Sequence, residues 1–277
     1  MSGDPRHQEE YSPRQTAAAR RVLVDLGQVL AGFEDCIVIV GGWVPDLLLP
    51  HAEERHVGSI DVDVALDAEK LGDGRYAELF EALIKSRRYH QASEPFKLYA
   101  SVDLEDGEPP ILVDVDFLKS AETKTRKNRP KLTTKFRPLD ADGCAAAFNQ
   151  PNSIVISGKM ISGAQNKVRF RVASIADFLV MKCYALMKRD KPKDAYDICY
   201  CIDYYPGGVA ELSGIWGNRK GERHVATAIE ILHEKFSSVE AYGPMQVVEF
   251  FNAQDRDERA RQARRAFELV KKFLEVL

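Results

Sequence analysis

The hydrophobic pattern changes period several times along the chain, and each change marks an element. Residues 12–32 open with Ser-Pro and continue as an alanine-rich amphipathic stretch. Ser12 as N-cap and Pro13 at the first helical position predict a helix start there. "CIVIV" (36–40) is a short apolar run ending at Gly41-Gly42, the pattern of a buried strand, and "WVPDLLL" resumes helical character. In 59–66 the period drops to two. Ile60, Val62, Val64 and Leu66 alternate with Ser59, Asp61, Asp63 and Ala65, which predicts a strand with both aspartates on one face. A helix is expected over 74–87, from apolar residues at 76, 79, 80, 83 and 84. "FKLYASVDL" (96–104) and "PILVDVDFL" (110–118) read as two strands joined by the turn-like "EDGEP". Short strands are expected at 153–157 and 167–172. From Ser174 the pattern is helical: 174–189, 194–204, about 223–236, 244–252 and 255–276. The expected class is α+β, with a mixed α/β part over 1–172 and an all-helical part over 173–277.

The charged positions inside the strands change this picture. Two carboxylates on one strand face, about 7 Å apart, repel each other and suit a strand poorly. "LVDVD" repeats the arrangement with Asp114 and Asp116. Should the two strands be neighbours in one sheet, up to four carboxylates converge. Such a group needs a counter-charge, or one member stays protonated. A divalent cation answers that need, and oxygen ligands suit Mg2+ or Mn2+. Either pair alone reads more simply as a solvated strand face; the two together, with the diglycine, shift that balance. Gly41-Gly42 between strand and helix lets backbone N–H groups approach phosphate oxygens, although a tight turn alone explains it too. It is neither GxGxxG nor GxxxxGK[ST].

Composition narrows the classes. The chain has 277 residues, 45% hydrophobic and 29% charged, enough for one large core or two smaller ones. A net charge of −3 excludes a generic nucleic-acid binder, so any such contact must come from a local basic surface. Residues 119–137 carry eight basic residues against one acidic; they are either a solvated loop or a track for an RNA backbone. Apolar runs such as Ile37–Val40 are too short to span a bilayer, and the N-terminus lacks the apolar core of a signal peptide. Five cysteines without a CxxC pair fit reduced core thiols in a cytoplasm. Six scattered histidines argue against zinc. Lys182 falls inside an apolar stripe of Ile175, Phe178, Leu179, Ala185 and Leu186. It therefore needs an anionic partner or a route to water. Asp194 follows Lys191-Pro192, where a helix begins and a capping aspartate is common. Asp197 is spaced i,i+4 from Lys193, as a local pair would be.

"VGGWVPDLLL", "GSIDVDVAL" and "VDVDFL" together resemble the polymerase-β-like nucleotidyltransferase superfamily. "SIADFLVMKCYALMKRDKPKDAYDICY" (174–200) resembles the signature of AbiEii/AbiGii-type nucleotidyltransferase toxins, which include the MenT toxins. The matching positions there are Lys182, Ala185, Arg189, Lys193, Asp194 and Asp197. The resemblance covers roughly 36–204. It departs at Trp43, where a small residue or Ser/Thr is more usual.

The resemblance implies a polymerase-β-like domain followed by a helical domain that completes the active site. Asp61, Asp63 and Asp116 would bind Mg2+ or Mn2+, with Asp114 an open alternative to Asp116. Gly41, Gly42, Ser59, Lys182 and Arg189 would hold the nucleoside triphosphate. Lys182 and Asp194 would also be catalytic. The implied reaction is nucleotidyl transfer to an RNA, by resemblance a tRNA 3′ end, by a cytoplasmic toxin with a cognate antitoxin. Two other readings stand beside it: nucleotidylation of a small molecule or protein hydroxyl, and a nucleotide-binding module without turnover.

Overall fold

The computed structural model describes residues 5–123 and 136–277, so most of the basic stretch, from 124 to 135, lies outside the described residues. The chain divides into two compact units. A sheet unit comprises Ser12–Val44 and Gly58–Ser174. A helical unit comprises the segment ending at Tyr11, Pro45–Val57 and Ile175–Leu277. The sequence reading kept the first two of those helical-unit segments with the N-terminal part; here the chain passes between units within the short helix α2 (Trp43–Leu48).

In the sheet unit, β1 (Ile37–Val40), β2 (Val62–Leu66), β3 (Tyr89–Gln91), β4 (Lys97–Val102), β5 (Ile111–Ser120), β6 (Leu139–Ala141), β7 (Asn152–Lys159) and β8 (Gln165–Val172) form one mixed sheet. Its order is β3-β4-β5-β2-β1-β8-β7, with β6 beside β5. β1 is buried along its whole length, as its unbroken apolar run requires. Helix α1 (Pro13–Val29) starts as expected: Ser12 Oγ accepts from Gln15 N, and Pro13 opens the first turn. It lies against β7 and β8, and Gly27 allows the approach, since a Cβ there would meet Val168 Cβ at 2.6 Å. The architecture is α+β with a mixed sheet.

Two expectations change, and two short strands are added. β2 begins at Val62 rather than 59. Before it the backbone is held by other bonds: Trp43 Nε1 donates to Asp61 O at 2.7 Å, and Ser59 Oγ donates to Asp61 Oδ1 at 2.5 Å. Helix α3 (Ala68–Lys85) begins earlier than 74, because Asp67 Oδ1 accepts from Glu69 N and Lys70 N, and it breaks at Gly72. β3 and β6 are too short to show a period.

The helical unit contains α4 (Ile175–Lys188), α5 (Pro192–Asp203), α6 (Gly208–Arg219), α7 (Arg223–Lys235), α8 (Tyr242–Phe251) and α9 (Arg256–Glu275). α6 went unexpected because three glycines, at 208, 214 and 217, weaken its helical pattern. Tertiary contacts hold it: Trp216 Nε1 donates to Ala176 O at 3.1 Å, and Ser213 Oγ to Phe273 O at 2.7 Å. All five cysteines are buried and unbridged. Among the described residues no helix is long and apolar enough to cross a membrane.

Candidate functional site

The expected site residues gather in two charged clusters, one in each unit. In the sheet unit the condition set by the sequence is met. β2 and β5 are parallel neighbours, and Asp63 stands in register with Asp116. In-register residues of adjacent strands project from the same sheet face. Asp61 lies two residues before Asp63, and its charge reaches Asp116. Burial pushes the Asp116 carboxyl up to about 7, and Asp63 adds to that push. Asp116 Oδ1 is buried without a hydrogen-bond donor.

Gly41 makes this arrangement possible. Its φ is +69°, in the left-handed region, and a Cβ there would lie 1.9 Å from Asp63 Oδ2. Any side chain at 41 would displace the carboxylate. Gly42 follows, immediately before α2. Ser59 turns its hydroxyl to Asp61 Oδ1. Trp43, the departure from the family pattern, is buried and uses its indole N–H to fix the Asp61 carbonyl.

Lys97 was not anticipated. β4 pairs antiparallel with β5 and sets Lys97 across from Asp116. Its ammonium donates to Asp114 Oδ2 at 2.7 Å and lies 3.4 Å from Asp116 Oδ1, close enough for attraction but without a hydrogen bond. Burial lowers the Lys97 pKa, but Asp114 and Asp116 outweigh it and hold the amine above its ordinary range. The signal was present: the β4–β5 hairpin pairs Val102 with Ile111, and counting along the ladder brings Lys97 opposite Asp116.

A divalent cation fits the chemistry of this donor set. Asp61, Asp63 and Asp116 offer only hard oxygen ligands, and Asp116 Oδ1 is a buried acceptor lacking a donor. Among the described residues no three such side chains are already drawn into ligand geometry. Like charges without a cation are expected to stand apart.

In the helical unit α4 and α5 bring Lys182, Arg189 and Asp194 together. Asp194 was considered as a helix cap; instead Lys191 is the N-cap and Asp194 sits inside the first turn. Its carboxylate is taken up by cations: Lys182 Nζ donates to Oδ1 at 2.7 Å, and Arg189 donates to Oδ2 at 2.7 Å and Oδ1 at 2.9 Å. Asp197 pairs with Lys193 as the spacing implied, at 3.0 and 3.2 Å. It also meets Lys182 at 2.7 Å and His56 Nε2 at 2.8 Å. Lys182 therefore has its anionic partners within its own unit. Burial works against ionisation of both carboxyls. Even so, Lys182 and Arg189 bring Asp194 down to about 2, and Lys182 and Lys193 hold Asp197 well below its usual range. The two amines move in opposite directions. Asp194 and Asp197 raise Lys182 against the effect of burial, while burial lowers Lys193.

His56 was missed, and no local periodicity marks it. It is buried, stacks on Tyr196 with ring centroids 5.4 Å apart, and meets Tyr200 edge-on. Burial lowers its pKa to about 4, so the neutral ring donates from Nε2 to Asp197.

No family model and no curated protein matches the chain. Among solved structures, the crystal structure of JHP933 from Helicobacter pylori is similar to it. The identity is 14%, over 95% of this chain and 94% of that one, with a TM-score of 0.44. A likeness at this level carries no argument here.

Proposed function

We propose that this chain is a metal-dependent nucleotidyltransferase with a polymerase-β-like domain, the toxin of a toxin–antitoxin pair, acting on an RNA acceptor such as a tRNA 3′ end. The observation that carries the proposal is the in-register pair Asp63 and Asp116, with Asp116 Oδ1 buried and lacking a donor. Asp61, Asp63 and Asp116 would hold Mg2+ or Mn2+, which supplies charge neutralisation for a triphosphate when bound. The remaining work falls to the chain itself. Gly41 keeps the approach to Asp63 open and leaves backbone bare for a phosphate. Ser59 and Trp43 orient Asp61. The later-strand carboxylate, Asp116, would also orient or deprotonate the acceptor hydroxyl as it attacks the α-phosphorus and pyrophosphate leaves.

By the resemblance Lys182 and Arg189 would also contact the triphosphate, and Asp194 and Asp197 hold them in place within the fold. An RNA acceptor also needs a basic surface. α9 carries seven basic residues against four acidic. Arg261, Arg264, Arg265 and Lys272, together with Glu268 and Leu269, line a shallow hollow along it.

The decisive experiment incubates the full chain with each labelled nucleoside triphosphate, Mg2+ and total RNA. Label should pass to RNA with at least one nucleotide and be lost in Asp61→Ala. Transfer with none of the four, from a correctly folded preparation, sinks the proposal. Growth arrest on expression, relieved by Asp61→Ala or Lys182→Ala, is expected for a toxin. The net charge of −3 favours a second reading, nucleotidylation of a small molecule or protein hydroxyl. Label moving to those fractions while RNA stays unlabelled would establish it instead.

A further inference from the structure

Asp114 and Asp116 are two residues apart on β5 and share a sheet face, so the strand alone does not choose between them. Their surroundings do. We infer that Lys97 is a positioning residue that selects the site's third carboxylate: it binds Asp114 and leaves Asp116 open toward Asp63. The inference rests on the reading of these aspartates as a divalent-cation site.

Three observations support the selection. First, the two contacts of the ammonium are unequal. At 2.7 Å Asp114 receives a charge-assisted hydrogen bond; at 3.4 Å the contact with Asp116 Oδ1 is longer and weaker. Second, exposure follows the same split. The Asp114 side chain is 44% exposed and that of Asp116 is 19% exposed. Water can solvate the first, while the second depends on what the site brings to it. Third, register places Asp116 between Lys97 on β4 and Asp63 on β2. Lys97 thus sits closer to Asp114 than to Asp116, whose Oδ1 keeps no close donor.

The test is a double-mutant cycle read by Mn2+ binding to the full chain, by calorimetry and by electron paramagnetic resonance, with no catalysis involved. With Lys97 present, Asp114→Asn should change Mn2+ affinity by less than about twofold, and Asp116→Asn should weaken it by about thirtyfold or more. In a Lys97→Met background Asp114 is released to the site, so Asp114→Asn should now weaken binding about tenfold. Lys97→Arg, which keeps a donor for Asp114, should retain the wild-type pattern. The selection is overturned if Asp114→Asn and Asp116→Asn weaken Mn2+ equally beside Lys97. It is also overturned if the Lys97 and Asp114 effects are additive, or if Lys97→Arg behaves as Lys97→Met. Should Lys97→Met not fold, the aspartate variants and Lys97→Arg still decide. A wild-type chain that binds no Mn2+ removes the cation reading itself, a failure distinct from the others.

Discussion

Each unit sets aspartates beside lysine, and the two clusters treat them in opposite ways. In the helical unit both oxygens of Asp194 and both of Asp197 accept from Lys182, Arg189, Lys193 or His56. Both carboxyls are held below their usual range. In the sheet unit Asp116 stands beside Asp63, keeps a buried oxygen without a donor, and is driven up to about 7. The first cluster is complete within the fold and acts as a fastening. In the second, Asp116 keeps a buried acceptor beside Asp63, and a buried acceptor of that kind suits a place where a cation binds.

The contrast breaks most visibly at Asp197. Asp197→Asn leaves Lys182 and Lys193 buried with too little negative charge, and a cost of about 3–5 kcal/mol is expected in urea unfolding followed by circular dichroism. A loss under 1 kcal/mol would mean that the network is not a fastening. Next in size is a pH effect. The His56 pKa falls from 6.5 to about 4 on folding. The unfolded chain takes up a proton below pH 6.5 while the folded chain stays neutral, so stability should decline between pH 6.5 and 4, by about 3 kcal/mol from this group. His56→Gln should remove that part of the decline, and an unchanged slope would refute the assignment.

Smaller effects sharpen the sheet unit's side. Gly41→Ala places a side chain at φ +69° and against Asp63. It should cost about 1–2 kcal/mol and take the proposed nucleotidyl transfer to background. An active Gly41→Ala chain would show that Asp63 need not approach so closely. Asp116→Asn should have the opposite sign. A folded pKa raised from 3.8 to about 7 favours the fold at low pH, and that contribution is lost as pH rises through 7. The variant should therefore gain about 1 kcal/mol over the wild type at pH 8.5 and less than half of that at pH 5, while losing the proposed transfer. Destabilisation at pH 8.5 would place Asp116 among the structural aspartates.

What could be read in advance follows from how local each signal is. β1, β4 and β5 appear in the sequence because their apolar spacing is set by the pleat itself, and Asp63, Asp114 and Asp116 could be placed on strand faces, whereas Asp61 falls just before β2. The meeting of Asp63 and Asp116 could not, since β2 and β5 are joined by a long crossover and their parallel register is a tertiary outcome. Lys97 was within reach, because a hairpin turn fixes its own ladder. His56 was not: it sits outside any periodic segment, and its partner Asp197 is 141 residues away. At Lys182 the apolar stripe announced a need for a partner. The "KPKDAYD" segment supplied two, Asp194 and Asp197, from the next helix.

The indole of Trp43 has a use beyond orienting Asp61. The chain has two tryptophans, Trp43 in the sheet unit and Trp216 in the helical unit, 1% and 0% exposed. Each unit thus carries one shielded fluorophore. In a Trp216→Phe chain all indole emission arises from a ring bonded to the backbone of Asp61. Its intensity and wavelength would report directly on the arrival of an ion or nucleotide, at protein concentrations far below those a calorimeter requires.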